Sequence, residues 1–267
     1  MSYRTIIAVI NEQSASVVTA RYAIALAEAC KAELILYSAH VEKRNDIAIS
    51  RTAHHLDDLA VVATALGIQV TQTTEVGIIS TLLPKLVLER NADLVFYHLT
   101  PEEQFGAFMR SSTVHQLLRD ITSDFAIMRV VAMVKPHPVH ILAPIGKGGD
   151  GASRRMQFLA AVATTFHAQV TLFHLTGRRS ENKMPDSISM VRKQLEQKKL
   201  TVLERCGTGN IGEAIGIEAI TRHNDLIVMG ASDCGVFRRL FLANPGEMVM
   251  RQPPCNTILF RPAHNLP

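Results

Sequence analysis

Short apolar runs alternate with longer amphipathic stretches along the whole chain, and the first run occurs twice. Residues 6–10 (IIAVI) match residues 141–145 (ILAPI), an offset of 135 (141 − 6 = 135). Each run is short and rich in aliphatic residues, which is typical of a buried parallel strand. A polar loop and an amphipathic helical stretch follow each run, with apolar residues at helical spacing: Val18, Tyr22, Leu26 and Ala29 in the first copy, Phe158, Val162 and Phe166 in the second.

The repeat continues along the chain with a change of offset. Residues 32–38 (AELILYS) match residues 168–174 (AQVTLFH) at an offset of 136 (168 − 32 = 136). Further on, residues 91–94 (NADL) match residues 223–226 (HNDL) at an offset of 132 (223 − 91 = 132). The four-residue difference therefore lies between residues about 40 and 67 of the first copy, where a loop absorbs a change of length easily. Each copy is too long for a solenoid repeat, so each is expected to have its own core.

Each copy has the pattern β-α-β-α-β-α-β-α-β. Strands are predicted near residues 4–10, 33–40, 68–74, 93–98 and 125–130 in the first copy, and near 139–145, 169–175, 200–205, 225–230 and 256–261 in the second. Strands that alternate with helices form a parallel sheet covered on both faces. The predicted fold class is therefore α/β, with two tandem doubly wound five-stranded parallel-sheet domains. The predicted domains are residues 1–131 and 138–267, joined by a linker at 132–137.

The composition argues against nucleic acid and membranes as partners. The 28 Lys and Arg residues exceed the 24 Asp and Glu residues by only four, and the basic pairs are scattered, whereas affinity for phosphates needs aligned cations. Trp is absent, and no apolar run reaches the roughly 18 residues that span a bilayer. The cysteines form no CxxC pair and no secretory leader precedes them, so a reducing, cytoplasmic location is expected: Cys30, Cys206, Cys234 and Cys255.

The segment at residues 225–261 carries a family resemblance. It reads DLIVMGASDCGVFRRLFLANPGEMVMRQPPCNTILFR, and it resembles the universal stress proteins in its fourth strand, in the helix that follows and in Pro254-Cys255 before the last strand. With the five-stranded pattern found twice, the chain resembles the tandem two-domain type of that family. The resemblance implies adenine-nucleotide alpha-hydrolase-like domains with strand order 3-2-1-4-5. It also implies a nucleotide site beyond the carboxyl ends of the strands.

The glycine motif of the nucleotide-binding members is altered in both copies. That motif is Gly-x2-Gly-x9-Gly-(Ser/Thr), whose glycines let backbone N–H groups approach phosphate closely. In the second copy Gly230 occupies the first position, but Asp233 replaces the second glycine and Ala243-Asn244 replaces the final pair. The charge of Asp233 opposes a polyphosphate by roughly 1 kcal/mol in water and about 4 kcal/mol at a partly buried site. Asn244 still suits a helix N-cap, with Pro245 and Glu247 after it.

In the first copy the motif is lost. The corresponding residues are His98, Pro101 and Ser111-Ser112. Pro101 has no N–H group to offer to a phosphate. The adenine-side Asp that the family carries after the first strand is Asn11 in this copy and Gly146 in the second. No cofactor is expected to be required, and any ATP binding is expected in the second domain only.

The residues predicted to line a ligand site all belong to the second copy. Gly146 and Lys147 open a Gly-rich turn between strand and helix, which either cradles a phosphate or is only a flexible loop. His174 ends the second strand, where a hydrogen-bonding role is expected. The complete set of predicted ligand-site residues is Gly146, Lys147, His174, Gly230, Ser232, Gly235, Asn244 and Gly246.

Other clusters favour an ordinary structural role. His54 and Asp58 share a helix face at i, i+4, but no third ligand accompanies them, so a solvated surface is predicted instead of a metal site. Cys234 lies beside Arg238 and Arg239, which would lower its pKa, and Cys255 is expected to be a buried small hydrophobe. No Ser/His/Asp or Cys/His set has a recognisable motif context, so no catalytic residue is nominated.

Three functional hypotheses follow. The first is a non-catalytic stress-response or regulatory protein whose two domains form an intramolecular pseudo-dimer through residues 125–130 and 257–261, with two chains forming a homodimer that binds a protein partner. The second is an ATP or adenylate sensor that uses the second domain. The third is an enzyme that processes nucleotides through the Lys147 loop. The charge of Asp233 separates the first two, because it opposes polyphosphate and tolerates an uncharged ligand.

Overall fold

The computed structural model describes residues 3–41, 45–100, 113–131, 137–145, 152–175, 186–209, 211–230 and 254–264. The chain divides into two compact units. The first unit consists of Met1–Val130 together with Pro262–Pro267, and the second consists of Val131–Arg261. The last residues of the chain thus group with the first unit, whereas the sequence repeat would count them with the second copy.

The first unit is a five-stranded parallel sheet with helices between its strands. Its elements are β1 (Thr5–Val9), α1 (Ser14–Cys30), β2 (Glu33–His40), α2 (Asp46–Ala65), β3 (Val70–Val76), α3 (Ile79–Glu89), β4 (Leu94–His98), α4 (Thr113–Asp120) and β5 (Asp124–Arg129). Strand β1 pairs with β2 and β4, β2 pairs with β3, and β4 pairs with β5, all in parallel. The order is therefore 3-2-1-4-5, as the resemblance implies.

The second unit repeats this arrangement. Its elements are β6 (His140–Ile145), α5 (Ala152–Thr165), β7 (Gln169–Leu175), α6 (Asp186–Glu196), β8 (Val202–Gly207), α7 (Ile211–Thr221), β9 (Leu226–Gly230) and β10 (Asn256–Arg261). Strand β6 pairs with β7 and β9, β7 pairs with β8, and β9 pairs with β10, again in parallel. Both units thus have the predicted fold class, and each predicted strand lies within two residues of an observed one.

Backbone conformations at equivalent positions confirm the offsets of 136 and 132 between the two copies. Lys31 after α1 and His167 after α5 both have a positive φ, at 55° and 52°, and they are 136 residues apart. Asn91 and His223, which follow α3 and α7, have φ values of 49° and 51° and are 132 residues apart. Because a positive φ ends a helix in a defined direction, each pair sends the chain into the next strand in the same way.

Asp93 and Asp225 perform the same structural task in the two units. The Oδ2 atom of Asp93 accepts hydrogen bonds from the backbone N–H groups of Arg4 and Thr5, at 2.7 and 3.1 Å. The Oδ2 atom of Asp225 accepts from Val139 and His140, at 2.9 and 3.0 Å. Each carboxylate therefore joins the start of the fourth strand to the start of the first.

The core of each unit is made by strands that are buried on both faces and by one stripe of each helix. Strand β4 is buried at all five residues, and so are β5 over its length and most of β1 and β2. In the second unit the rings of Phe158 and Phe260 stack with centroids 4.3 Å apart. In the part of the chain that the structure describes, no helix has the length and apolar character needed to cross a membrane.

The last described residues of the chain are bonded to the first unit, near the start of β5. The buried carboxylate of Asp124 accepts a hydrogen bond from the Tyr3 hydroxyl at 3.0 Å and another from the backbone N–H of Ala263 at 2.8 Å. A ring nitrogen of His264 lies 3.0 Å from the carbonyl oxygen of Arg119. Tyr3 and Ala263, near the two ends of the described chain, thus both bond to Asp124 at the start of β5.

Candidate functional site

The carboxyl ends of the strands define the candidate site in each unit. With strand order 3-2-1-4-5, the chain leaves neighbouring strands in opposite directions only at the first and fourth strands, which opens a crevice between them. In the first unit this crevice lies between the ends of β1 and β4, and in the second between the ends of β6 and β9. Asn11 and His98 stand at the two sides of the first crevice, and Gly230 ends β9 at the second.

Side chains close the crevice of the first unit. His98, the last residue of β4, is buried, and its Nε2 atom lies 3.3 Å from the Asn11 Nδ2 atom and 3.3 Å from the Gln13 Oε1 atom. The amide of Asn11 donates when Nε2 is unprotonated, and Nε2 donates to Gln13 when it carries the proton. Nε2 of His98 therefore has an amide partner in either tautomer, and the ring stays across the crevice.

The loop after β1 is itself fixed by local hydrogen bonds. The Asn11 Oδ1 atom accepts from the backbone N–H of Gln13 at 2.9 Å, and the Ser16 hydroxyl lies 3.2 Å from the backbone nitrogen of Asn11. The Nδ1 atom of His55, from α2, is 2.9 Å from the carbonyl oxygen of Asn11. These bonds hold Asn11 in place, so the position that the resemblance assigns to an adenine-side Asp is occupied by a fixed amide.

The neighbouring His54 takes no part in this network. Its Nε2 atom lies 3.4 Å from Asp58 on the same helix face, and both side chains are more than half exposed. Among the residues that the structure describes, no group of three or more His, Cys, Asp or Glu residues could hold a metal ion. The exposure of both side chains is that of a solvated surface pair.

In the second unit, His174 has the hydrogen-bonding role that was predicted. Its ring is buried on β7, and the Nδ1 atom lies 3.0 Å from the carbonyl oxygen of Ile145, the last residue of β6. A carbonyl oxygen only accepts, so the Nδ1 atom donates this hydrogen bond. The ring therefore ties the ends of two adjacent strands together at the edge of the crevice.

Arg155 is the site residue that sequence reasoning missed. It lies in the first turns of α5, its side chain is buried, and its guanidinium packs on the backbone of Gly230. A Cβ atom on Gly230 would stand 2.7 Å from the Arg155 Nη1 atom, which is closer than such atoms approach, and 3.3 Å from its Cδ atom, which is a tight contact. Gly230 therefore has a packing reason as well as the motif reason, since any side chain there would require the arginine to shift.

The two units exchange large and small residues at this place. The positions equivalent to Arg155 and Gly230 are Thr19 (155 − 136 = 19) and His98 (230 − 132 = 98). The first unit thus has a short helix residue and a long strand residue, and the second has the reverse. As a result an imidazole lies at the end of the fourth strand in the first unit, whereas a guanidinium packs at that place in the second. A guanidinium carries a permanent positive charge, which favours an anion nearby.

Most of the predicted ligand-site residues lie outside the described residues. Of the predicted set, the structure describes His174 and Gly230, and these lie at the carboxyl ends of β7 and β9. The other six residues of the predicted ligand site lie outside the described residues: Gly146, Lys147, Ser232, Gly235, Asn244 and Gly246. The remaining altered motif positions and the cysteine with basic neighbours also lie outside them: Pro101, Ser111, Ser112, Asp233, Ala243 and Cys234.

Burial makes the thiol of Cys255 unreactive. Cys255 is buried, and burial, with a smaller effect from the charge of Asp225, raises the pKa of its thiol to about 12. A thiol with so high a pKa is not ionised at neutral pH and is a poor nucleophile. The prediction that Cys255 is a buried small hydrophobe is thus confirmed. Cys30 and Cys206 are half-buried.

Comparison with solved structures identifies the fold over the full length of the chain. A universal stress protein from Archaeoglobus fulgidus superposes with a TM-score of 0.65 at 13% identity, covering 97% of this chain and 96% of that chain. A protein from Pseudomonas aeruginosa described as a universal stress protein gives a TM-score of 0.59 at 15% identity, covering 98% of this chain and 94% of its own.

This chain has the universal stress protein fold. The likeness extends across both units, so it confirms the resemblance to the tandem two-domain type at the level of fold. The same fold also occurs in the cytoplasmic domain of a prokaryotic cation chloride cotransporter, with a TM-score of 0.63 at 8% identity, covering 100% of this chain and 98% of that one. No protein-family model and no curated protein sequence matches the chain. The fold therefore supports more than one biological setting, and the function must be argued from the site.

Proposed function

We propose that this chain is a non-catalytic regulatory protein of the stress response, acting in the cytoplasm, whose two domains have diverged in their capacity for a ligand. The observation that carries this proposal is the contact of His98 with Asn11 and Gln13 across the crevice of the first unit. A ligand in that crevice would have to displace a buried ring and leave its two amide partners to find other hydrogen bonds. We infer that the first domain, residues 1–131, does not bind a nucleotide.

The second domain, residues 138–267, is proposed to hold the remaining ligand capacity. Arg155 supports an anionic ligand there, because its guanidinium lies at the carboxyl end of β9, beside Gly230. The altered glycine motif opposes a tight fit for a polyphosphate, since Asp233 adds a negative charge and Ala243 adds a Cβ atom. An adenylate sensor that uses this domain alone is therefore the second candidate function.

Calorimetric titration of the full chain with Mg-ATP tests this assignment. We expect weak or absent binding to the wild type and stronger binding to the Asp233→Gly, Ala243→Gly double variant, because both changes restore close approach to phosphate. Adding Arg155→Thr, the residue found in the first unit, to that double variant should remove the gain. The matched change in the first unit, Pro101→Gly, should have no effect because His98 still closes that crevice.

Two results would contradict the proposal. Binding of Mg-ATP to the wild type in the low micromolar range would mean that the altered motif does not weaken the site. A gain of binding in the Pro101→Gly variant would mean that the first crevice is open. Conversion of ATP to a product during the titration would instead favour the enzyme hypothesis built on the Lys147 loop.

The two domains are further proposed to pair as an intramolecular pseudo-dimer through residues 125–130 and 257–261, with two chains forming a homodimer. The support is the family resemblance and the general need to cover the edges of a sheet. Halves expressed separately should self-associate or aggregate, since each would expose an apolar edge. Two halves that both stay monomeric and folded at high concentration would contradict this pairing.

A further inference from the structure

A cleft of about 420 Å³ opens at the amino-terminal ends of the strands in the second unit. The crevice described above lies at the opposite, carboxyl ends of the strands. The floor of the cleft is formed by the starts of β6 and β7 and by β8, and one wall is formed by the last turn of α7. His140, the first residue of β6, and Asn224, just before β9, mark this end of the sheet. The cleft is therefore separate from the candidate nucleotide site of the same unit.

At two positions of this cleft the first unit has aliphatic side chains where the second unit has polar ones. Thr171 in the floor corresponds to Ile35 (171 − 136 = 35), which is fully buried, and Glu218 in the wall corresponds to buried Leu86 (218 − 132 = 86). Next to Glu218, Ala219 corresponds to the larger Val87 (219 − 132 = 87), also buried. On the neighbouring strand the exchange is reversed, since Leu203 corresponds to Thr71 (203 − 132 = 71), so the units differ most at the helix, where Glu218 replaces an aliphatic residue. A concave surface with several convergent polar groups is the usual form of a small-molecule site.

The register of the strands determines which side chains face the cleft. Thr171 pairs with Leu203, so these two residues and Arg205 lie on one face of the sheet. On this face the Arg205 Nε atom donates to the Glu218 Oε1 atom at 3.1 Å, which brings β8 and α7 together. Glu204 lies on the opposite face, where its carboxylate is 3.7 Å from Arg192 of α6. Glu204 also lines the cleft, and the neighbouring Arg192 offsets its charge.

The charges around the cleft leave one cation without a counter-charge. Glu218 is neutralised by Arg205, and its side chain is only 12% exposed. The exposed guanidinium of Arg222 makes neither a hydrogen bond nor an ion pair with any residue that the structure describes. Gln169 and Thr171 bring an amide and a hydroxyl to the same cleft, and Asn224 brings a second amide.

We propose that this cleft binds a small hydroxycarboxylate. A single unpaired guanidinium matches one carboxylate group in charge and in its two parallel hydrogen bonds. The amides and the hydroxyl then suit the hydroxyl groups of the rest of the molecule, because each can both donate and accept. The cleft volume corresponds to a polar molecule of modest size.

Amide NMR spectra of the isotope-labelled full chain test the proposal, with gluconate as the probe and glucose as its uncharged counterpart. Gluconate should produce saturable shifts at Thr171 and Asn224, and glucose at the same concentration should not. Arg222→Gln should weaken gluconate binding by at least about tenfold, the usual effect of losing a charged hydrogen-bond partner. The matched control is Arg90→Gln, at the equivalent position of the first unit (222 − 132 = 90), which should leave the affinity unchanged.

A triple variant, Thr171→Ile, Glu218→Leu and Ala219→Val, introduces the larger apolar residues of the first unit into the cleft and should abolish the shifts. If this variant does not fold, the Arg222→Gln comparison still decides the proposal, because that side chain is on the surface. Equal shifts with glucose and gluconate, or unchanged affinity in Arg222→Gln, would overturn it. Saturation of the same amides by inorganic phosphate at lower concentration would overturn the assignment to a carboxylate.

Discussion

Arg155 and Gly230 are fitted to each other: the Nη1 atom of the arginine lies 2.7 Å from the point where a Cβ atom on residue 230 would stand. The side chain of Arg155 is buried, so it has little room to move away. The glycine that starts the altered nucleotide motif therefore also serves packing. In the first unit the imidazole of His98 occupies the position where the second unit has no side chain.

The first prediction concerns this pair. Gly230→Ala should lower the free energy of unfolding by about 1–3 kcal/mol, because the added methyl group forces a buried side chain to shift. Arg155→Thr in the same chain should recover most of that loss by removing the obstructing atoms. Urea denaturation of the wild type, both single variants and the double variant measures the coupling. If the losses of stability in the two single variants add up to the loss in the double variant, then a side chain at residue 230 does not clash with Arg155.

The second prediction concerns the repeated aspartates. Asp225→Ala should destabilise the second unit by about 1–3 kcal/mol, because the N–H groups of Val139 and His140 lose their acceptor. Asp225→Asn should have a smaller effect, since the amide oxygen still accepts from both. Asp93→Ala should have a similar effect on the first unit through Arg4 and Thr5.

Stability measurements on these three variants provide the check, with Asp225→Asn as the matched control. If the asparagine variant is as unstable as the alanine variant, the negative charge matters more than the hydrogen bonds. If neither alanine variant differs from the wild type, the two aspartates do not hold the strand starts together.

The third prediction concerns Tyr37 at alkaline pH. Burial, then its hydrogen bond of 2.7 Å to the Glu75 Oε2 atom, and then the charge of Glu75 raise the pKa of the Tyr37 phenol far above its ordinary value. The folded chain therefore keeps the proton at a pH where the unfolded chain releases it. The stabilising contribution is complete below pH about 10 and falls above it, by up to about 1.4 kcal/mol per pH unit.

Tyr37→Phe removes this titration and leaves the other tyrosines in place. The free energies of unfolding of the wild type and the variant should differ by a constant amount below pH about 10 and converge above it. Urea denaturation across this range gives both curves. Parallel curves at all pH values would mean that Tyr37 ionises as readily in the folded chain as in the unfolded one.

Much of the fold followed from local patterns in the sequence. Strands such as 33–40 and 256–261 were predicted to the residue because a parallel strand buried on both faces is a continuous apolar run bounded by polar loops. Because the pattern occurs twice, each element could be predicted from two segments of the sequence. The offsets of 136 and 132 reappear in the positive φ angles of equivalent residues such as Asn91 and His223. The role of His174 could also be predicted, because the end of a strand fixes where its last side chains lie.

The arrangement of the sites was decided by tertiary structure. Arg155 meets Gly230 across 75 residues of sequence (230 − 155 = 75), and Arg205 of β8 meets Glu218 only because α7 packs on that face of the sheet. In the sequence Arg155 belongs to an ordinary basic pair at the start of a helix. That pattern does not predict that Arg155 packs against Gly230. Apolar periodicity is a property of neighbouring residues, so the sequence by itself determined the elements and their repetition. Complementarity between side chains depends on distances between elements, so only the folded chain decided that His98 meets Asn11, that Arg155 packs on Gly230, and where the polar cleft opens.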